Sequence, residues 1–329
     1  TKQTPAPTPS ARHTSPTTPP PPSGTRLVMA ADTGFRDSNG DDSAETNFAA
    51  MGKSGAAAAF VMGDLAYQRS EQKYCDVVNQ LMKMPIEIVP GNHEGLDPAH
   101  SGQTSGSIMN YVKCLPDRLA TKPLLKGKGY PYNYVVDLPK VRIIMISPNV
   151  VSEVGQLTFA NGTPEQVALL AAIKEGKKAG QWIIVGEHEP WLTIGEHAAE
   201  PDNLSTPDLA RAQIAAGVDL VIAGHDHNYS RTHQLSALES QTSATIADDD
   251  NSFVRGAGTV FAVIGNSGHI PREIGDPGTM WASSWGTNSP GGTSIGFLQV
   301  DATAESLSVS EITTSGAERS DSFVISKAG

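Results

Sequence analysis

The chain has 329 residues, with 35 acidic and 24 basic side chains and a formal net charge of −11. This negative balance argues against a nucleic acid or an anionic membrane surface as the partner. The length allows two average domains or one large α/β domain with a substantial core. No apolar stretch approaches the ~18 residues that are needed to cross a bilayer, so we expect no membrane span.

Residues 1–24 consist mostly of Pro, Thr and Ser and include four consecutive prolines. Such a segment buries too little apolar surface to offset the entropy that ordering it costs, so we expect an extended tail or linker. The chain starts without Met and shows no signal-peptide pattern, so we expect that any targeting segment has already been removed. A single domain is predicted over 25–329.

Strand-like and helix-like segments alternate from residue 25 onward. Thr163 and Thr206 each precede a proline, a combination typical of the first turn of a helix. The predicted helices are 46–54, 71–82, 163–179 and 206–216. Five short apolar runs, described below, are predicted to form strands. Six further strands are predicted at 133–138, 141–147, 260–265, 292–300, 306–313 and 321–326. Eleven strands exceed what one doubly wound sheet accommodates, so we predict an α/β fold with two packed mixed sheets between helices, a four-layer αββα sandwich.

Five short apolar runs each end in a residue that is able to bind a hard metal ion. Runs of this length, bounded by turn residues, predict buried strands. In open α/β sheets, ligands bind beyond the carboxyl ends of the strands. The runs are RLVMAAD ending at Asp32, AAFVMGD at Asp64, IEIVPGN at Asn92, WIIVGEH at His188 and DLVIAGH at His225.

A single Asp after a strand is most often a helix cap or a turn residue. Here Gly63, Gly91 and Gly224 directly precede three of the terminal residues, and glycine permits a sharp turn and close approach to an ion. His227 alternates with His225 along the chain, so the two rings can reach different ions. Carboxylate, carboxamide and imidazole ligands favour Fe, Mn, Zn or Mg. The set therefore predicts a metal site.

In order along the chain, these motifs resemble the five motifs of purple acid phosphatases, which are calcineurin-like metallophosphoesterases. The resemblance spans about 30–230 and implies that 25–329 is a metallophosphoesterase catalytic domain, in a compact form without an N-terminal β-sandwich. The matching residues are Asp32–x–Gly34, Gly63–Asp64–x–x–Tyr67, Gly91–Asn92–His93–Glu94, Val185–x–x–His188 and Gly224–His225–x–His227.

Two positions indicate the purple acid phosphatase branch. Most of the superfamily has a metal-binding His where this chain has Gly34, and Tyr67 matches the tyrosine that binds ferric iron in purple acid phosphatases. The alternative for Tyr67 is a buried aromatic ring with a hydrogen-bonded hydroxyl.

The resemblance implies two metal sites that share Asp64. Fe(3+) would be held by Asp32, Asp64, Tyr67 and His227. A divalent Fe, Zn or Mn ion would be held by Asp64, Asn92, His188 and His225. It further implies hydrolysis of phosphate monoesters at acidic pH by attack of a metal-bound hydroxide, with inorganic phosphate as a product.

Two histidines are candidates for the acid that protonates the leaving group. His93 lies in the GNHE motif, and His197 follows His188 by nine residues, where family members carry a similarly spaced His. The alternative for His197 is a solvated loop residue. Glu94 is expected to orient His93, or otherwise to be a surface carboxylate. Glu189 and Asp226 add negative charge beside the ligands and are expected to weaken phosphate binding or shift the pH optimum.

Alternative functions on the same metal core are a phosphodiesterase or a nucleotide pyrophosphatase, and loops 94–132 and 232–258 are expected to decide among them. A noncatalytic phosphate- or metal-binding module is an alternative of another class. Cys75 and Cys114 are the two cysteines, and the exported character of the tail favours a disulfide over two free thiols. We expect a secreted, periplasmic or cell-envelope protein, with a monomer slightly favoured.

Overall fold

The computed structural model describes residues 23–35, 43–200 and 204–328. Apart from its last two residues, the tail predicted over 1–24 lies outside this described part. The strands are β1 (Thr25–Ala30), β2 (Ala58–Met62), β3 (Ile86–Val89), β4 (Lys122–Pro123), β5 (Tyr134–Leu138), β6 (Val141–Ile146), β7 (Val151–Ser152), β8 (Gly155–Gln156), β9 (Trp182–Glu187), β10 (Leu220–Ala223), β11 (Tyr229–Thr232), β12 (Gln234–Ser240), β13 (Ser243–Asp248), β14 (Ser252–Val254), β15 (Val260–Ile264), β16 (Trp281–Trp285), β17 (Ser294–Ala302), β18 (Ser306–Gly316) and β19 (Ser322–Ser326).

The helices are α1 (Ser43–Lys53), α2 (Glu71–Leu81), α3 (Ile108–Cys114), α4 (Pro164–Lys178) and α5 (Pro207–Ala216), with two short 3-10 helices at Pro98–His100 and Glu196–Ala199. The hydroxyls of Thr163 and Thr206 cap α4 and α5, as the Thr-Pro pairs predict. Within the described residues, no helix has the length and apolar character needed to cross a bilayer.

Two large mixed sheets form the centre of the fold. One has the strand order β14-β19-β18-β17-β1-β2-β3, and the other has the order β16-β11-β15-β10-β9-β6-β5-β4. Their facing side chains form one apolar cluster, which includes Phe60 and Ile184. A second cluster packs α1, α2 and α3 on the outside of the first sheet, and a third packs α4 and α5 on the outside of the second. The predicted four-layer αββα sandwich is therefore confirmed.

The five apolar runs form β1, β2, β3, β9 and β10, and each strand is fully buried, including β3 at the edge of its sheet. β1, β2 and β3 are parallel neighbours, and β9 and β10 are parallel neighbours in the other sheet. Strands buried on both faces read as continuous apolar runs, which is why the sequence pattern identifies them. The carboxyl ends of parallel strands lie at one edge of a sheet, so the residues that follow them are brought together.

Several elements, among them a helix and a hairpin, lie in segments that the sequence pattern assigns to loops. Helix α3 lies within the predicted loop 94–132, and the β12–β13 hairpin lies within the predicted loop 232–258. At seven residues, α3 is too short to be stable alone and is held by packing against α2. The hairpin is almost entirely polar on its exposed face, so it lacks the apolar run that identifies a buried strand.

The predicted disulfide is present and joins α2 to α3. Cys75 and Cys114 are bonded, with their Cα atoms 5.9 Å apart and a separation of 39 positions along the chain. Closing a loop of this length stabilises the fold by roughly 4 kcal/mol in the chain-entropy model. The bond therefore compensates for the small size of α3.

A buried ion pair connects the two sheets away from the strand ends. The Arg231 guanidinium on β11 donates to both oxygens of Asp321, at 2.6 and 2.8 Å, and the Tyr229 hydroxyl donates to the same carboxylate at 2.7 Å. Arg231 and Asp321 are both buried. Because each charge is desolvated, removing one partner leaves the other uncompensated in the interior.

We predict that Asp321→Ala lowers the free energy of unfolding by about 3–5 kcal/mol, since it leaves the Arg231 charge buried without its partner. The matched control is Lys122→Ala, which breaks an ion pair with Asp137 whose lysine is 64% exposed. We expect the control to cost less than about 1 kcal/mol. Urea unfolding of both variants measures the difference, and similar costs would contradict the structural role of the buried pair.

Candidate metal centre

Three of the strand-end residues adopt left-handed backbone conformations. The φ angles are 52° for Asp32, 50° for Asp64 and 71° for His225. Side chains larger than glycine adopt this region rarely and at a cost on the order of 1 kcal/mol or more, and such residues cluster at functional sites. The conformation turns the chain sharply at the end of each strand, so that all three side chains are directed toward the gap between the sheets.

Two of the glycines that precede strand-end residues, Gly91 before Asn92 and Gly224 before His225, are required because other groups approach their backbone closely. A Cβ on Gly91 would overlap the Asp64 carboxylate, and a Cβ on Gly224 would lie 2.5 Å from Oδ2 of Asp32. The expectation that glycine brings the backbone close to the site is confirmed at both positions.

The first cluster of polar atoms surrounds the Tyr67 hydroxyl. Its oxygen lies 3.0 Å from Oδ1 of Asp32, 3.1 Å from Oδ2 of Asp64 and 2.7 Å from Nε2 of His227. Asp32, Asp64 and His227 are buried, and their ligand atoms lie within 4.8 Å of one another. The phenol has one proton and therefore donates to at most one of these three neighbouring atoms.

The second cluster surrounds the Asn92 carboxamide oxygen. Oδ1 of Asn92 lies 3.0 Å from Nε2 of His188 and 3.1 Å from Nδ1 of His225, while Nε2 of His188 lies 3.4 Å from Oδ1 of Asp64. The two oxygens of Asp64 therefore face different clusters, Oδ1 the second and Oδ2 the first. All seven sequence-predicted ligands are brought together in this way.

Hydrogen bonds outside the clusters fix the orientation of two of these groups. Nδ1 of His188 donates to the Met62 carbonyl at 2.8 Å, so Nε2 is the nitrogen that faces the second cluster. Nδ2 of Asn92 donates to the His100 carbonyl at 3.1 Å, so the carboxamide oxygen faces inward. Nε2 of His188 and Oδ1 of Asn92 thus face each other, an arrangement that suits a cation bound by both.

The electrostatics of the buried groups agree with this chemistry. Burial raises the pKa of Asp32, whereas His188 and His93 lower the pKa of Asp64 although burial opposes them, so the two carboxyls tend to share one negative charge. Burial and the two carboxylates raise the pKa of Tyr67 well above its ordinary value. The donor set of oxygens and imidazole nitrogens fits two hard or borderline metal ions.

Burial keeps the two histidines of the last motif neutral. It lowers the pKa of His225 well below its ordinary value, with the charges of His197 and His188 adding to the effect. The pKa of His227 is lowered in the same way, first by burial and then by His269 and Arg272. Neutral imidazole is the form that binds metals.

Glu94 differs from its expected role. Its carboxylate accepts hydrogen bonds from the backbone N–H groups of Asp64 at 3.0 Å, Leu65 at 2.9 Å and Gly91 at 3.0 Å. Glu94 is buried, so it is not a surface carboxylate, and its hydrogen bonds hold the turns after β2 and β3 together rather than orienting His93.

The two candidate acids lie on different walls of the site. Nε2 of His93 is 3.8 Å from Oδ2 of Asp64, and the His93 ring packs on Tyr67 with centroids 4.3 Å apart. Burial lowers the pKa of His93. The His197 ring stacks on His225 at 4.1 Å, and its Nδ1 is 2.8 Å from a carboxylate oxygen of Glu200. The alternative that His197 is a solvated loop residue is therefore wrong.

Asp226 holds the wall that carries His197. Its carboxylate accepts hydrogen bonds from the Thr193 hydroxyl and from the backbone N–H of His197 at 3.1 Å. A Cβ on Gly195 would overlap the same carboxylate, so the loop passes directly over it. Asp226 is thus a structural anchor for this loop. Glu189, the other added acid, accepts from Nδ2 of Asn149 at 2.9 Å, and burial raises its pKa to about 8.

Sequence reasoning missed two residues of the site, His269 and Arg272. The His269 ring stacks on Tyr67 with centroids 3.9 Å apart, and its backbone lies where a Cβ on Gly34 would be, which explains why a side chain at position 34 does not fit. Both residues follow β15, a further buried apolar strand that is parallel to β10. The signal that identifies them is therefore the GNSGH segment after this run.

These residues line one open cavity of about 290 Å³. Asp64, Tyr67, Asn92, His225 and His227 belong to its floor, and further side chains form its walls. The wall residues are His93, Ala99, His100, Ser101, Glu189, His197 and Arg272. Part of the loop 94–132 therefore lies at the mouth of the site, as predicted.

Comparisons with known proteins agree with the motif-based resemblance. Two Arabidopsis thaliana proteins, purple acid phosphatase 23 and purple acid phosphatase 18, are each 24% identical to this chain, over 207 and 231 residues. The matches cover 61% and 67% of this chain but 39% and 46% of the relatives, so the chain spans less than half of their length. The structure of the purple acid phosphatase PPD1 from yellow lupin (Lupinus luteus) seeds superposes with a TM-score of 0.71 at 18% identity, covering 93% of this chain and 54% of that one.

The family model for calcineurin-like phosphoesterases matches residues 25–229, which is more than half of the chain. This range contains the five strand-end motifs and all seven residues of the two polar clusters. The protein therefore belongs to the calcineurin-like phosphoesterase family and is similar to purple acid phosphatases.

Proposed function

We propose that this protein is a dinuclear metal acid phosphatase that hydrolyses phosphate monoesters. The observation that carries the proposal is the position of Asp64, whose two carboxylate oxygens face two separate clusters of donor atoms. A bridging carboxylate is what a pair of ions a few ångströms apart requires.

In this proposal, Fe(3+) binds to Asp32, Asp64, Tyr67 and His227, and a divalent Fe, Zn or Mn ion binds to the second cluster. That cluster consists of Asp64, Asn92, His188 and His225. When bound, the ions supply positive charge to a phosphate ester and lower the pKa of water. The chain's own groups contribute orientation, since the carbonyls of Met62 and His100 hold His188 and Asn92 in place.

His93 and His197 are proposed to bind the phosphoryl oxygens and to protonate the leaving group. Both rings line the cavity from its walls, above the two clusters. Glu200 pairs with Nδ1 of His197, which leaves Nε2 for the substrate. The Thr104 hydroxyl contacts Nδ1 of His93 in the same manner.

The proposed location is outside the cytoplasm, in the secreted, periplasmic or cell-envelope space. The Cys75–Cys114 disulfide supports it, because such bonds form and persist in oxidising compartments. The proposed partners are small phosphomonoesters rather than nucleic acids, in keeping with the negative net charge.

Metal analysis combined with paired assays tests the function. We expect about two metal ions per chain, one of them iron, and hydrolysis of p-nitrophenyl phosphate at acidic pH that exceeds hydrolysis of bis(p-nitrophenyl) phosphate. A reversed preference would identify a phosphodiesterase, and release of AMP from ATP a nucleotide pyrophosphatase. Metal binding without any hydrolysis would identify a noncatalytic module.

We predict that His93→Ala keeps both metals and lowers kcat by roughly 10²–10⁴, the range for a positioned acid. An alkyl phosphate should lose more than p-nitrophenyl phosphate, whose leaving group needs less protonation. The matched control is His233→Ala, at a histidine outside the cavity lining, with an expected change below about twofold. Equal losses on the two substrates, with intact metals, would remove His93 from the acid role.

We predict that the protein with its native metals is coloured and that Tyr67→Phe abolishes the visible band. A phenolate bound to ferric iron absorbs visible light by charge transfer, which carboxylate, carboxamide and imidazole ligands do not provide. Iron should remain bound through Asp32, Asp64 and His227. Tyr132→Phe is the matched control, because it removes a buried hydroxyl that contacts Glu153. A colourless wild-type protein with stoichiometric ferric iron would falsify the Tyr67 assignment.

A further inference from the structure

Arg272 is the one Arg or Lys side chain among the described residues that line the cavity. The other polar groups of the floor and walls are acidic, neutral or imidazole. In a chain with a net charge of −11, a guanidinium at this position provides a local attraction for an anion. The metal ions proposed for the two clusters already bind the phosphate that reacts, so Arg272 is available for another part of the substrate.

The backbone of Arg272 is fixed to the metal cluster. Its N–H donates to the carbonyl of His227 at 2.7 Å, and its carbonyl accepts from the N–H of Thr287 at 2.9 Å. The loop is further held by Gly275, whose N–H donates to the Ile194 carbonyl at 2.7 Å. The fold therefore fixes the position of the Arg272 backbone, which is hydrogen-bonded directly to the backbone of the proposed metal ligand His227.

The guanidinium is held across the mouth of the cavity by Glu196. Nη1 of Arg272 lies 2.7 Å from Oε2 of Glu196, which directly precedes His197 in the chain. The Arg272 side chain is 37% exposed and that of Glu196 is 57% exposed, whereas the side chains of Asp64 and His227 are 2% and 3% exposed. Arg272 thus lies farther out than the metal clusters, on the wall that carries the His197 side chain.

An exposed ion pair of this kind contributes little to stability, typically about 0–1 kcal/mol. A guanidinium has five N–H donors in a rigid fork, so one contact with Glu196 leaves other donors for a ligand. Forked binding of phosphate is the interaction that arginine makes better than lysine. A phosphate at the mouth of the cavity would therefore compete with Glu196 for the guanidinium, because it can accept two hydrogen bonds from it where Glu196 accepts one.

We propose that Arg272 binds a second phosphate, carried by the leaving group of the substrate. The inference rests on the proposed phosphatase function and narrows its substrate class to phosphomonoesters with a second phosphate, such as sugar bisphosphates. Glu196 holds the guanidinium in place and is displaced from it by the second phosphate. Arg272 therefore contributes to binding of these substrates and not to the chemical step.

The test compares fructose 1,6-bisphosphate with fructose 6-phosphate, and adenosine 3′,5′-bisphosphate with AMP, in the wild type and in three variants. Arg272→Gln should raise KM roughly tenfold for at least one doubly phosphorylated substrate, as expected for loss of a charge-assisted contact, with kcat nearly unchanged. KM for the singly phosphorylated partner should change less than about twofold. Arg272→Lys should recover only part of the affinity, because it keeps the charge and loses the fork. Glu196→Gln should lower KM for the same doubly phosphorylated substrate.

Arg69→Gln is the matched control, since Arg69 is an exposed arginine outside the cavity lining. It should leave both members of each pair unchanged. Equal effects of Arg272→Gln on the two members of both pairs would overturn the inference and assign Arg272 to the reacting phosphate. If Arg272→Gln has no effect on either pair, the inference is also overturned and Arg272 forms only a surface ion pair with Glu196. In both cases wild-type hydrolysis of the singly phosphorylated substrates keeps the proposed function intact, whereas absence of all hydrolysis overturns the function and the inference together.

Discussion

The constraint on which this structure depends is the close approach of carboxylate, phenol, carboxamide and imidazole groups in the buried interior, with few protons to form hydrogen bonds between them. The Tyr67 hydroxyl, with one proton, lies within hydrogen-bond distance of two carboxylate oxygens and Nε2 of His227, and Nε2 of His188 faces the oxygen of Asn92 while its Nδ1 donates to the Met62 carbonyl. Groups of this kind repel one another at low dielectric, and positive charge between them converts the repulsion into binding. A fold that maintains the arrangement therefore needs rigid support behind each group, and the structure provides it. The support consists of parallel strands, the Glu94 carboxylate that joins two turns, and buried apolar clusters on both faces of each sheet.

Backbone strain is part of the same arrangement. Asp32, Asp64 and His225 all take left-handed conformations at the ends of their strands, where an extended continuation would carry the side chains past the gap between the sheets. The local cost is on the order of 1–3 kcal/mol for each residue. Stability gained elsewhere has to offset it, and the Arg231–Asp321 pair and the Cys75–Cys114 bond both lie away from the strand ends. Neither interaction involves the three strained residues themselves.

The sequence predicts the floor of the site well because the floor is made by strands. A strand buried on both faces has a strong apolar pattern, which directly identifies the residue that follows it, as for Asp64, Asn92 and His225. The walls are predicted less well, because no periodicity marks them. Helix α3 and the β12–β13 hairpin were missed since one is short and the other polar. His269 and Arg272 lie beyond β15, whose own sequence end, GNSGH, was not recognised as part of the site. The structural role of Asp226 is not visible in the sequence either, because charge alone does not reveal that its carboxylate accepts hydrogen bonds from Thr193 and the His197 backbone and anchors a loop.

This division between floor and walls has a functional consequence. In the proposed function, the groups on the floor hold ions and position a phosphoryl group, and that chemistry is compatible with monoesters, diesters and anhydrides alike. The proposal therefore assigns selection among these substrates to the walls, where His93, His197 and Arg272 belong to loops held by a few hydrogen bonds rather than by sheet hydrogen bonds. Loops tolerate sequence change more readily than strands, so specificity is able to vary while the floor is kept. The backbone hydrogen bond from Arg272 to His227 links the two levels, since it places a wall residue at a fixed position relative to the strand ends.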